Sequence, residues 1–193
     1  MPAFDNVVLH SPRLVLRPFT AADAPALLAI FSDPRVMRYW STPPWTGLEQ
    51  AHAMIERDQR AMPAGEHLRL GLEHRADGRL IGQCTLFALN AGCRRAEIGY
   101  ALASSAWGQG LMHEALTALL NQGFGPMDLN RVEADIDPRN AASEQSLLRL
   151  GFTKEGHLRE RWIVDGEVSD TGLYGLLRRE WATRPSGLLT PMP

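Results

Sequence analysis

The chain is poor in the features that fix a protein's chemistry on sight. Its 193 residues include only two cysteines, Cys84 and Cys93, too few for a disulfide framework or a four-cysteine zinc site. The six histidines are scattered without metal-ligand spacing, so no metal is expected. Charge of one sign is lacking too. The 20 Lys and Arg against 22 Asp and Glu leave a net −2, which gives no reason to expect a nucleic-acid partner. The basic cluster Arg159, Arg161, Arg178 and Arg179 reads as a solvated sheet face. No apolar run approaches the roughly 18 residues needed to cross a bilayer. The opening MPAFDNVVLHSPRLVL has neither the basic nor the apolar region of a signal peptide. No membrane partner, a reducing compartment and a cytoplasmic location are the expectations. Internal repeats and low-complexity linkers are missing as well.

What is present is an ordinary globular composition, 45% hydrophobic and 22% charged, in a chain long enough to bury a core. One domain over 1–182 is expected, followed by a loose Pro-rich tail at 183–193. SPRLVLRPF (11–19) alternates as a first strand; Thr20 caps a helix that stops at Asp33-Pro34. Thr46-Gly47-Leu48-Glu49 reads as a capping box opening a second helix that ends near Met62-Pro63. The period then becomes two: HLRLGLEH (67–74), an Asp77-Gly78 turn, LIGQCTLFAL (80–89) and RRAEIGYALA (94–103) form an antiparallel meander. A helix with Leu111, Ala115, Leu119 and Leu120 inward follows, then a strand at 131–137 and a short helix from Asn140 to Leu150. A last hairpin turns at Asp165-Gly166. This order predicts an α+β fold, a mixed, mostly antiparallel twisted sheet of about seven strands with about four helices on both faces.

The segment Trp107-Gly108-Gln109-Gly110-Leu111-Met112 leads from a strand into an apolar helix through two alternate glycines. Glycine there suits either a close ligand or a tight turn. A helix N-terminus offers unpaired N–H groups to phosphate, and the glycines would let the backbone of Gln109, Gly110, Leu111 and Met112 approach one. Neither standard nucleotide motif fits. No Gly-Lys-Ser/Thr follows. His113 occupies the third glycine position of a dinucleotide fingerprint, and Asp128 lies in a loop rather than at a strand end.

Three segments, in order, resemble the GNAT acyltransferase superfamily and its RimJ/RimL-like branch. AEIGYALASSAWGQGLMHEAL (96–116) resembles the central strand and acetyl-CoA loop, and DPRNAASEQSLLRLGF (137–152) the Asn-x-x-Ser helix with its Gly-Phe. RLVLRPFTAADAPALLAIFSDPRV (13–36) resembles the opening strand and helix. Two positions depart from the pattern: Ser105 begins the loop where the superfamily has Gln or Arg, and Trp162 stands where some relatives place an acidic residue.

The resemblance implies acetyl transfer from acetyl-CoA to a primary amine, a protein N-terminal α-amine or a small molecule, by direct attack in a ternary complex. It places the pyrophosphate on Gln109, Gly110, Leu111 and Met112, after Trp107 and Gly108, and the pantetheine along the backbone of Ile98, Tyr100 and Leu102. A strand N–H would polarise the thioester carbonyl. Asn140 is assigned to cofactor positioning and Ser143 to the leaving thiolate; alternatively Asn140 is a helix cap and Ser143 an exposed helix serine. Glu97 is the candidate base, its alternative a strand-end carboxylate paired with Arg94 or Arg95. Asp170 and Tyr174 read as hairpin-ordering and core residues, with His157 and Glu160 further back. Tyr39, Trp40, Trp45 and Trp162 are the candidate acceptor wall, though the three from RYWSTPPW also suit a lid on the second helix. An α-amine, with pKa about 7.7–8.0, loses its proton at a cost of roughly 1 kcal/mol at pH 7; a lysine, at about 10.4, costs about 4.6. A non-catalytic acyl-CoA-binding or sensor module is the alternative function. The exposed last hairpin offers an edge to a second copy, and with it a homodimer.

Overall fold

The computed structural model describes residues 3–4 and 6–183. The expected loose tail therefore lies, from residue 184, outside the described residues. The strands are β1 (Leu9–His10), β2 (Leu14–Arg17), β3 (Leu68–His74), β4 (Leu80–Asn90), β5 (Arg95–Leu102), β6 (Arg131–Ile136), β7 (Thr153–Val164) and β8 (Glu167–Leu177). The helices are α1 (Ala24–Phe31), α2 (Pro34–Met37), α3 (Leu48–Ala61), α4 (Leu111–Phe124), α5 (Ala141–Arg149) and α6 (Arg178–Ala182). One sheet contains all eight strands in the order β1-β2-β3-β4-β5-β6-β8-β7. Every neighbouring pair is antiparallel except β5 and β6. The expected α+β class and mixed sheet are found.

The counts differ from expectation for local reasons. The extra strand is β1, a two-residue edge pairing Leu9 with Leu16. Pro34 ends α1 but also starts α2, because proline suits the first helical position and the Asp33 carboxylate accepts from the Arg35 N–H at 2.9 Å. The α3 entrance shifts by one residue. Gly47 is the cap, and Gln50 rather than Glu49 closes it, its Oε1 accepting from the Thr46 and Gly47 N–H groups at 2.7 and 3.2 Å.

Alternation along the central strands sorts the side chains between two layers. Cys84, Leu86, Ala96, Ile98 and Leu102 face the layer containing α4, where Leu111, Ala115, Leu116, Leu119 and Leu120 are buried. Each such leucine contributes on the order of 1.5–3 kcal/mol. Phe19, Leu27, Phe31, Ile55 and Ala101 form the core on the opposite face, under α1 and α3. That same face carries Gln83, Thr85, Glu97 and Gly99, so the sheet itself separates Glu97 from α4.

Candidate active site

β5 and β6 run parallel, but pairing stops after Glu97↔Glu133. β5 continues to Leu102 while β6 remains paired to β8 as far as Ile136. Past Glu97 the two strands splay, leaving one edge of β5 without a ladder partner. Both layers of the molecule meet in this opening. Tyr100 Oη and Ser143 Oγ lie 2.6 Å apart across it, joining β5 to α5. Burial pushes the Tyr100 hydroxyl up to about 12, against the opposing effect of the Ser143 hydrogen bond. Asn140 caps α5, its Oδ1 accepting from the Ser143 N–H at 3.1 Å, which leaves its amide nitrogen for another acceptor. The capping role is thus real, and Asn140 and Ser143 both line the opening as well.

At the far end of β5 lies the glycine segment. Gly108 and Gly110 both adopt φ +74°, the left-handed conformation, which costs a residue with a Cβ about 1–2 kcal/mol. A Cβ on Gly108 would meet nothing within 4 Å. The glycines are therefore not forced by crowding from the protein: they shape a turn whose outer side is open. Gly110 caps α4, and the first intrahelical bond is Glu114 N–H to Gly110 O at 3.2 Å. The earlier amides of the turn have no helical acceptor. Leu111 is buried, so only its backbone is offered outward. Trp107 is exposed, and its indole N–H anchors the turn to Leu102 O at 2.8 Å. Ser105 contributes its carbonyl, accepting from Gln109 Nε2 at 3.3 Å.

A clamp from the residues leading into β2 holds this turn. Arg13 donates through Nη1 to Gln109 O at 2.9 Å and through Nε to Glu114 Oε2 at 2.8 Å. Ser11 Oγ and the Arg13 N–H donate to Glu114 Oε1. Burial alone would raise the Glu114 carboxyl, yet these bonds hold it low. Sequence reasoning missed Arg13, because no local signal links positions about a hundred residues apart.

On the other face the splay opens into a cleft of about 620 Å³ lined by Tyr39, Trp40, Glu97, Asp135 and Trp162 among others. Arg95 pairs with Glu133 at 2.7 Å and Arg94 with Asp128 at 2.8 Å. Neither neutralises Glu97, so the strand-end ion-pair alternative is not what the structure contains. Burial, then the carboxylates of Glu133 and Asp135, raise the Glu97 carboxyl above its ordinary value, opposed by Arg95 and Arg161. Asp135 belongs to this group but sequence reasoning missed it. The alternation Glu133-Ala134-Asp135 on a strand parallel to β5 was the available signal.

Trp162 reaches the cleft through an irregularity of β7 between Leu158 and Trp162, with Glu160 at φ +52°. Its indole N–H donates to Thr171 Oγ1 at 3.0 Å, and Thr171 donates to Asp135 Oδ1 at 2.8 Å. Trp162 is thus tied through Thr171 to a carboxylate on β6. Asp170 orders the hairpin, accepting from Glu160 N–H and bonding His157 Nε2, both at 2.8 Å. Tyr174 is a core residue, 1% exposed.

The aromatic loop divides. Tyr39 and Trp40 line the cleft, whereas Trp45 does not; it stacks on Phe31 with ring centroids 4.6 Å apart. Trp40 also contacts Phe31 edge-on at 5.3 Å. Of the remaining sequence-derived residues, Ile98 and Tyr100 border the cleft, while Leu102, Trp107 and the segment 108–112 lie outside it.

The profile of the acetyltransferase (GNAT) domain matches residues 13–153. The uncharacterized N-acetyltransferase p20 of Bacillus licheniformis is 36% identical over 174 residues, covering 90% of this chain and 98% of that protein. Among solved structures, Mycobacterium smegmatis RimJ in complex with CoA-disulfide superposes with a TM-score of 0.82 at 27% identity, over 93% of this chain and 91% of that one. The spermidine N-acetyltransferase of Vibrio cholerae in complex with CoA and spermine shares the fold, with a TM-score of 0.79 at 20% identity, over 89% and 99%. With a splayed β5–β6 pair between a glycine-capped helix and an acidic cleft, and with this match along its length, the chain belongs to the GNAT family of N-acetyltransferases.

Proposed function

We propose that the chain transfers an acetyl group from acetyl-CoA to a primary amine held in the cleft, by direct attack in a ternary complex. The observation that carries this reading is the splay beyond Glu97↔Glu133. It begins beside the carboxylates Glu97 and Glu133 and follows β5 toward the open turn at 108–112. The residues present fit the cosubstrate. Gly108 leaves open space where a Cβ would stand, and helix-terminal amides suit a pyrophosphate. The unpaired edge of Ile98 to Leu102 suits a pantetheine amide chain lying as an added strand. Asn140 would hold that chain from α5. Bound acetyl-CoA supplies the acyl group as a thioester.

Within this frame the protein's own groups take the protons. Glu97, with Asp135 close behind it, accepts a proton from the substrate ammonium and frees the amine lone pair to attack, and its raised affinity for a proton makes it a stronger base than an exposed carboxylate. A β5 backbone N–H bonds the developing oxyanion. The Ser143 hydroxyl, held by Tyr100 Oη, donates a hydrogen bond to the leaving thiolate, and solvent supplies the proton that completes the thiol. Tyr39, Trp40 and Trp162 wall the acceptor.

CoA release with a panel of primary amines tests the reading. The parent is expected to turn over at least one amine, and Glu97→Gln to lower kcat by about 10²–10⁴-fold while still binding CoA. Full activity in the Gln variant would remove Glu97 as the base. No CoA release from any amine would remove the transfer reading.

A further inference from the structure

The floor of the cleft contains polar groups that neither the fold nor the proposed chemistry uses. Gln83 and Thr85 are 3% and 4% exposed, yet Gln83 Oε1 and Thr85 Oγ1 have no hydrogen-bond partner in the protein. Both line the cleft. They sit two residues apart on β4 and so point to one face. A buried polar atom left unpaired costs about 1–3 kcal/mol, and native cores contain few of them. Two adjacent ones aimed into the same cavity mark a site for a ligand's polar group.

Their neighbours define that group. Thr85 pairs with Gly99 on β5 and with Arg69 on β3. Gly99 has no side chain, and a Cβ there would come within 3.2 Å of Thr85 Cγ2, so glycine keeps the space beside the Thr85 side chain clear. Glu97 opposes Phe87, which makes Thr85 its diagonal neighbour, about 7–8 Å away between backbones. One small molecule can therefore touch both. Arg69 also lines the floor; its Nη1 donates to Asp58 Oδ1 at 2.9 Å, and its Nε is unpartnered. A free carboxamide oxygen beside a hydroxyl matches a group that donates and accepts at once.

We infer that Gln83 and Thr85 form a specificity shelf that selects a primary amine bearing a neutral hydroxyl group within a few bonds of its nitrogen, and disfavours purely hydrocarbon amines. The inference rests on the proposed transfer to an amine in this cleft. In it, the acceptor hydroxyl donates to Gln83 Oε1 and accepts from Thr85 Oγ1 while the amine meets Glu97.

Matched amines test it: serinamide against alaninamide, and threoninamide against valinamide. Two quantities are read for each, kcat/KM by CoA release and affinity by calorimetry in the presence of CoA. The hydroxylated member of each pair is expected to lead by on the order of 10- to 100-fold, the ratio of a made to an unmade buried hydrogen bond. Thr85→Val and Gln83→Leu should bring the ratio near one, and an unchanged stabilisation by CoA certifies that each variant is folded. Equal treatment of the pairs would overturn the shelf and assign these atoms to bound water. A preference that survives both variants would overturn it too, as would failure of every amine to bind. A hydroxyl preference in binding with no CoA release would uphold the shelf and defeat the transfer reading instead.

Discussion

Glu97 is the residue on which stability and chemistry pull apart. Its neighbours Glu133 and Asp135 have the same charge, and Arg95 is diverted to Glu133. The folded protein therefore binds the Glu97 proton more tightly than the unfolded chain does. Ionisation at neutral pH counts against the folded state; the deficit is absent below the ordinary value of 4.5 and complete once pH exceeds the folded value. Glu97→Gln is accordingly expected to leave Tm at pH 7 unchanged or raised, even as it removes activity. A fall in Tm would mean that the carboxylate has a structural partner. The pH profile of kcat at saturating substrates supplies the second arm. Its acid limb should lie above the ordinary carboxylate range in the parent and vanish in the variant, whereas a limb belonging to another group would persist.

At the scale of elements, two helix entrances carry the site, and their roles separate experimentally. The 108–112 turn is set by two left-handed glycines and the Arg13 clamp. Filling CoA to a hundred times Kd stabilises by about 2.7 kcal/mol, or roughly 5–10 °C for a chain of this size. Gly110→Trp should abolish that shift. Arg13→Gln, which keeps the glycines, should weaken it, and a full shift in both would place the cofactor elsewhere. At the α5 entrance, Asn140→Ala should cost about 1 kcal/mol as a lost cap, while Asn140→Asp keeps the cap oxygen and the stability. Only the loss of the amide nitrogen is common to both. A rise in the acetyl-CoA KM shared by the two variants thus reports cofactor contact, and a rise confined to Ala reports the cap alone. These elements were legible in the sequence because their signals are local: two glycines before an apolar stripe, an Asn three residues before a Ser, a Gly-Phe after a helix. The aromatic loop was not so legible. Tyr39, Trp40 and Trp45 are alike in composition, and only the position of Phe31 decides that Trp45 stacks away from the cleft. Gln83, Thr85 and Asp135 were hidden for another reason, since a polar residue in an alternating strand reads as solvent-facing until a second wall covers it.

Among the described residues the sheet is a partition with a gap beyond Glu97↔Glu133. The 108–112 turn and the buried face of α4 lie on one side of it, the acidic cleft on the other, and the splay joins them. In the proposed reaction two ligands enter from opposite sides and are bound together, and neither leaves before the other arrives. The alternative, an acyl-enzyme formed in one step and discharged in the next, needs a nucleophile at the gap. Neither cysteine serves. Cys84 is fully buried in the core, with its thiol pushed far above the usual range by burial, and Cys93 is exposed and does not line the cleft. Ser143 bonds the Tyr100 hydroxyl, whose own proton is held tightly, rather than a general base that would activate it. Initial rates measured against both substrates should therefore give intersecting double-reciprocal lines, and Cys93→Ser should leave them unmoved. Parallel lines, with an acetylated protein recoverable in the absence of acceptor, would require a nucleophile at the gap and return Ser143 to that role.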